Sequence, residues 1–198
     1  MSTILAIDTA APRLQLALLL PDGRVDVSVD EIATGHAELI FTRIGELLAR
    51  NGVGYPDLTR VVTTTGPGSF TGLRIGLSAA RGLALARSIP VIGVPSLLAL
   101  SLAAQGPSTV LLDARRGEAY FQSFAGAGKP TSAPMLLAME AAQEAVVPGS
   151  TLIQSPFVDI ALVARYGAIA DPAAHPPEAS YVRDADAKPQ TAARIQRL

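Results

Sequence analysis

The chain has 198 residues, 49% hydrophobic and 17% charged, with a net charge of −1 and no cysteine. That is enough apolar material for one globular unit or two small lobes, which excludes a disordered chain, while the near-neutral charge excludes a dedicated nucleic-acid binder. Disulfides, thiol nucleophiles and cysteine-held metals fall with the missing cysteines. No apolar run approaches the ~20 residues of a membrane span, and no basic start or cleavable segment opens the chain, so the cytoplasm is the expected location.

Thr3 to Asp8 and Arg13 to Leu20 read as buried strands, and Arg24 to Asp30 alternates as a third after the turn signal Pro21-Asp22-Gly23. Tight connections predict an antiparallel opening. A helix over His36 to Asn51 should bury Ala37, Ile40, Phe41, Ile44, Leu47 and Leu48, with Gly45 and Ala49 as a small-residue strip at its side.

The β-branched run Val61 to Thr65 predicts the next strand, and Gly66-Pro67-Gly68-Ser69 a turn. Ser69 or Thr71 can cap a helix running to about Arg87. A strand, a glycine turn and a helix N-terminus make a place where backbone N–H groups could meet an anion. The named nucleotide motifs do not fit: Leu73 stands where a Walker A loop needs lysine, and Gly66, Gly68 and Gly72 miss the dinucleotide spacing. Pro67 stands where a nucleophile elbow needs glycine.

At ~100° per residue this helix places Arg74, Ser78, Arg81 and Leu85 on one stripe. Gly72, Ile75, Gly76, Ala79, Gly82 and Leu83 form one apolar face, and Leu73, Leu77, Ala80 and Ala84 a second. The apolar arc covers roughly 220°, wider than the ~100° stripe of a helix lying on one core. Either the helix is covered by the rest of its own domain, or one face is kept for a partner helix. Gly72, Gly76 and Ala80, four apart, would let a second backbone come close.

Val91 to Val94 predicts a strand and Pro95 to about Ala104 a helix. After Gly106-Pro107, Thr109 to Asp113 and Ala119 to Phe124 predict a hairpin around Arg115-Arg116-Gly117-Glu118. A helix is expected at about Met135 to Ala145, a strand at Thr151 to Gln154 and a helix at Asp159 to Tyr166, ahead of a proline-rich tail. From pattern alone this is a mixed α/β domain.

The stretch Gly66-Pro67-Gly68-Ser69-Phe70-Thr71-Gly72-Leu73-Arg74-Ile75-Gly76-Leu77, followed by Ile89-Pro90-Val91-Ile92-Gly93-Val94-Pro95-Ser96-Leu97, resembles the signature of the TsaB family, also called YeaZ. Asp113 to Tyr120 and Pro177 to Arg183 resemble two further blocks of the family. The resemblance implies an actin-like (ribonuclease-H-like, ASKHA) α/β fold of two lobes, 1–104 and a reduced 105–198. It implies a non-catalytic subunit serving threonylcarbamoyl transfer to adenosine 37 of tRNA (t6A). The chain would pair with a TsaD-like catalytic subunit, joined by a TsaE-like ATPase, would form a homodimer when alone, and would meet tRNA only through the complex. The partner surface expected from the two helices comprises Gly45, Ala49, Gly72, Leu73, Arg74, Gly76, Leu77, Ala80, Arg81 and Ala84.

Asp8, Gly66, Gly68 and Ser69 mark a candidate vestigial nucleotide site. Thr9-Ala10-Ala11 replaces the small glycine-rich turn that an active member would carry after the aspartate, so Asp8 reads first as a turn-stabilising residue. His36 and His175 cannot supply the i,i+4 pair of the TsaD metal signature, and His36 reads as a capping or surface residue. No cofactor, metal or catalytic residue is expected. The alternatives are a small ATP-dependent phosphotransferase using Asp8 and the glycine turn, and a peptidase-like protein, which the residue inventory disfavours because no H-E-x-x-H occurs.

Overall fold

The computed structural model describes residues 2–180 and 182. Tyr181 and Arg183 of the expected terminal block lie outside the described residues. The first sheet has the order β3-β2-β1-β4-β5, from β1 (Ile4–Asp8), β2 (Leu14–Leu19), β3 (Val25–Asp30), β4 (Arg60–Thr64) and β5 (Val91–Val94). The first three strands form the antiparallel opening that the tight turns predict, and β4 and β5 add in parallel to β1.

Side chains alternate across β1 and both faces are covered. Leu5 and Ile7 pack with Ile40, Ile44, Leu47 and Leu48 of α1 (His36–Arg50) and with Ala79 and Ala80 of α2 (Phe70–Arg87). Ile4 and Ala6 face the other way, onto α3 (Ser96–Ser101) and α5 (Ile160–Ile169). Each large aliphatic side chain so buried contributes about 1.5–3 kcal/mol. Arg43 and Arg50 tie α1 to β3 through Asp30 and Asp26 at 2.9 and 2.6 Å.

The second sheet has the order β10-β6-β7-β8 with β9 also paired to β7. Its strands are β6 (Ser108–Arg115), β7 (Glu118–Gly126), β8 (Lys129–Pro130), β9 (Met135–Ala138) and β10 (Thr151–Ile153). Val110, Leu112 and Phe124 join the core beneath β1 and β4, so the two sheets share one apolar interior.

Two expectations are corrected. Met135–Ala138 is a strand, because its four residues satisfy the open edge of β7 from Glu118 to Phe121; only α4 (Met139–Glu144) is helical. The helix expected to reach Ala104 ends at Ser101, and Ala104 N–H closes a turn on the Ser101 carbonyl.

Candidate functional site

The glycine turn leaves β4 and enters α2, whose N-cap is Ser69, with its Oγ accepting from Gly72 N–H at 3.2 Å. The Gly66–Pro67 peptide is cis. The loop after β1 lies directly on this turn. Ser69 N–H donates to the Ala10 carbonyl at 2.7 Å, and Thr9 Oγ1 donates to the Gly72 carbonyl at 2.7 Å. A Cβ at Gly68 would stand 2.7 Å from that Ala10 oxygen. The space in front of the turn is therefore filled by the chain's own Thr9-Ala10.

Asp8 is fully buried beneath it. Oδ1 accepts from Thr64 Oγ1 at 2.6 Å and from Ala10 N–H at 3.2 Å, and Oδ2 accepts from Gln15 Nε2 at 3.2 Å. Burial raises its pKa above the ordinary carboxylate value, against those hydrogen bonds. Oδ1 thus holds Ala10 of the loop and Thr64 of β4, and Oδ2 holds Gln15 of β2. Asp8 does not line the adjoining cleft.

That cleft, of about 460 Å³, runs between the two sheets. Gly68 and Ser69 form one wall, Pro12 and Pro156 the flanks, and Asp113, Arg115 and Tyr120 the other wall. Arg115 and Arg116 both hold left-handed backbone (φ 68° and 55°) at the β6–β7 turn, with Arg115 N–H on Asp113 Oδ1 at 2.7 Å. Both arginines are exposed, as the hairpin reading expects. The Ser96 hydroxyl is buried beside the cleft with no hydrogen-bond partner among the described residues.

His36 is buried rather than a cap or a surface group, with Nε2 3.2 Å from the Arg13 carbonyl, and His175 meets the Tyr166 hydroxyl at 3.1 Å. Among the described residues no three His, Cys, Asp or Glu side chains gather into a metal-holding group.

The predicted interface residues separate sharply. Gly72, Leu73, Gly76, Leu77, Ala80 and Ala84 are buried within the chain. A Cβ at Gly76 would lie 2.5 Å from Thr9 Oγ1 and 3.5 Å from Thr63 Oγ1, so this glycine faces the sheet. Of the second apolar face of α2, Leu73 lies against the turn at Gly66 and Ala80 packs in the core shared with α1; the C-terminal segment joins the ends of β4 and β5, where Ser180 N–H donates to the Thr65 carbonyl and Gly93 N–H to the His175 carbonyl. Gly45 is half-buried and Ala49 exposed. Arg74 and Arg81 point outward.

What sequence periodicity assigned to the core and the structure does not is Ala37 and Phe41 of α1. Both are exposed, Phe41 by 52%, and Phe70 on α2 is exposed by 57%. With Ile40, Arg74, Ile75 and Ala79 they line an apolar groove of about 470 Å³ between the two helices, where Arg74 stacks 3.6 Å above the Phe70 ring. The sequence signal nearest to this groove was the excess width of the apolar arc of α2.

A family model described as "TsaD: tRNA N6-adenosine threonylcarbamoyltransferase" matches residues 30–164. The chain belongs to this family. Within it the chain stands with TsaB, or YeaZ. The Escherichia coli tRNA threonylcarbamoyladenosine biosynthesis protein TsaB is 37% identical over 126 residues, 61% of this chain and 54% of that protein. The Bacillus subtilis TsaB is 36% identical over 121 residues, 60% and 53% of the two chains. The chain thus spans about half the length of the curated relatives it matches. YeaZ from Pseudomonas aeruginosa superposes with a TM-score of 0.76 at 22% identity, covering 91% of this chain and 100% of that one. A second Pseudomonas aeruginosa structure with the same score is described as similar to peptidase YEAZ. The fold is the mixed α/β fold of two sheets that YeaZ has.

Proposed function

We propose that this chain is a non-catalytic partner subunit in t6A biosynthesis, pairing through α1 and α2 with a TsaD-like subunit that transfers threonylcarbamoyl to adenosine 37 of tRNA. A TsaE-like ATPase joins the pair, tRNA is met through the complex, and the setting is the cytoplasm. Residues 1–104 and 105–198 form the two lobes, the second reduced. The supporting observation is a contrast between two places. The glycine turn is sealed by Thr9-Ala10, whereas Phe41 and Phe70 leave an apolar groove open to water. Exposed aromatic surface of this kind marks an interaction site.

With its partner absent the same groove drives self-association, so a homodimer forms when the chain is alone. The interface proposed from the sequence moves accordingly. Arg74, Arg81 and Ala49 remain on it, Phe41 and Phe70 join it, and the buried glycines and alanines shape α2 against its own sheet.

The test is co-purification with the TsaD-like protein of the same organism, followed by a tRNA modification assay with and without this chain. Pairing and a joint requirement for both proteins are expected. Absence of pairing, together with saturable Mg-dependent ATP binding by the isolated chain, would favour the phosphotransferase alternative.

A further inference from the structure

Two glycines of the sequence signature make room for the C-terminal segment. A Cβ at Gly93 would run into the Pro176 carbonyl oxygen, and one at Gly66 would stand 3.0 Å from the Ser180 carbonyl oxygen. Main-chain hydrogen bonds hold the segment there, from Gly93 N–H to the His175 carbonyl at 2.9 Å and from Ser180 N–H to the Thr65 carbonyl at 2.8 Å. Ala179 is thereby brought alongside α2. Between it and Arg74, Leu77, Ser78 and Arg81 opens a second groove of about 450 Å³. Arg74 and Ser78 also line the Phe41–Phe70 groove, so α2 is a ridge with a groove on each flank.

We infer that the C-terminal segment is part of the partner surface: a TsaD-like subunit straddles α2, with one helix in the Phe41–Phe70 groove and an adjacent helix in the groove that Ala179 walls. The two grooves share their dividing wall, so a body seated in one meets the other. What separates them is a single helix, about 10–12 Å across with its side chains. Neighbouring helices of a packed pair lie about 8–10 Å apart, so a helix pair enters both grooves at once. A lone helix would leave one flank of α2 wet. The stretch matched to the TsaD family includes α1 and α2, so a TsaD-like subunit carries the counterpart of this chain's own helix pair. The helix in the second groove meets a mixed surface, with Ser78 and Arg81 beside Leu77 and Ala179. This second contact rests on the pairing proposed above and extends it. It also gives Gly66 and Gly93 a task, since they seat the segment on which the contact depends.

Ala179→Trp tests the second groove, because the indole fills it from within the chain. Ala179 is half-buried at the groove wall, so the melting temperature should hold while affinity for the TsaD-like subunit falls about tenfold in titration calorimetry with the full chain. Ser180→Pro removes the N–H that ties the segment to Thr65 and should weaken pairing in the same sense. Hydrogen exchange on the wild-type pair reads the contact without a substitution: residues 177–180 should slow on pairing together with α1 and α2. Slowing over α1 and α2 with none at 177–180 overturns the inference, whichever way the variants fold. Phe41→Ser separates the two levels. If it abolishes pairing and a folded Ala179→Trp leaves affinity unchanged, the second contact fails and pairing through α1 and α2 stands. If neither variant alters affinity, the pairing surface is elsewhere and both readings fail.

Discussion

The Ala10 carbonyl oxygen lies where a side chain on Gly68 would have to begin: a Cβ there stands 2.7 Å from the oxygen and 2.9 Å from Ala10 Cβ. The same oxygen accepts from Ser69 N–H. Loop and turn are thus sealed together at the point where an anion would approach the start of α2. Gly68→Ala should destabilise the chain by about 1–3 kcal/mol, since backbone rather than a flexible side chain must give way. Thermal unfolding checks this. Calorimetry with millimolar Mg-ATP should show no saturable binding to the wild-type chain; micromolar affinity would point to the phosphotransferase reading.

Gly76→Leu reads from sequence as a wedge between partnered helices. In the structure the position faces Thr9 and Thr63, with no room for a Cβ, so the variant should fail to fold or lose several kcal/mol and report nothing about pairing. Phe41→Ser and Phe70→Ser are the informative substitutions. Both rings are more than half exposed, so thermal stability should change by no more than about 0.5 kcal/mol. Self-association measured by sedimentation should fall. A monomer–dimer equilibrium insensitive to both would remove the groove from the interface.

The difference between those two positions also marks what the sequence could carry. Strand alternation, the Ser69 cap and the exposed stripe Arg74, Ser78, Arg81 and Leu85 are local, and each was legible because periodicity decides it. Which side of a wide apolar arc is covered is not local. It depends on Thr9 reaching Gly72 and on β1 and α1 closing over Ala79 and Ala80. Phe41 looked like core for the same reason: its helical phase is right, but α2 brings Phe70 and Arg74 beside it rather than a covering layer. Met135–Ala138 was read as helix because four apolar residues carry no period, and the open edge of β7 decided the matter.

Asp8 gives a pH dependence with a definite sign. Burial raises its folded-state pKa, so the native chain holds a proton that the unfolded chain has released. Stability from this group is complete below the unfolded value near 3.8 and is lost as pH rises toward the folded one, after which it levels. Asp8→Asn keeps an oxygen for Thr64 Oγ1 and Ala10 N–H, and the Gln15 amide can turn to receive the new NH2. The variant should therefore gain on the wild-type chain as pH is raised from about 4, in melting temperatures taken across pH 4–8. Asp8→Ala, which strands all three donors, should cost about 1–3 kcal/mol. A difference between wild type and Asp8→Asn that does not vary with pH would show that the carboxyl titrates alike in both states.

Arg60 joins parts of the chain that sequence keeps far apart. It opens β4, and its Nη1 donates to the carbonyls of Gly167, Ala168 and Ala170 at 2.6, 3.2 and 3.0 Å. These are end carbonyls of α5, and a guanidinium there satisfies orphan acceptors and meets the negative end of the helix dipole. The contact matters because α5 covers the face of β1 and β4 that Ile4, Ala6 and Val62 present, and it arrives from beyond the second sheet. Arg60→Ala should cost about 2 kcal/mol, a fall of about 4–8 °C in melting temperature for a chain of this size. Arg60→Lys should fall between, since an ammonium on a shorter stem keeps the charge near the helix end without the guanidinium's reach to these carbonyls. Amide exchange should quicken first in α5, before the α1–α2 face responds. Uniform acceleration across both faces would mean that α5 is not docked as a separable unit, and an unchanged melting temperature would mean that the three carbonyls are equally well served by water.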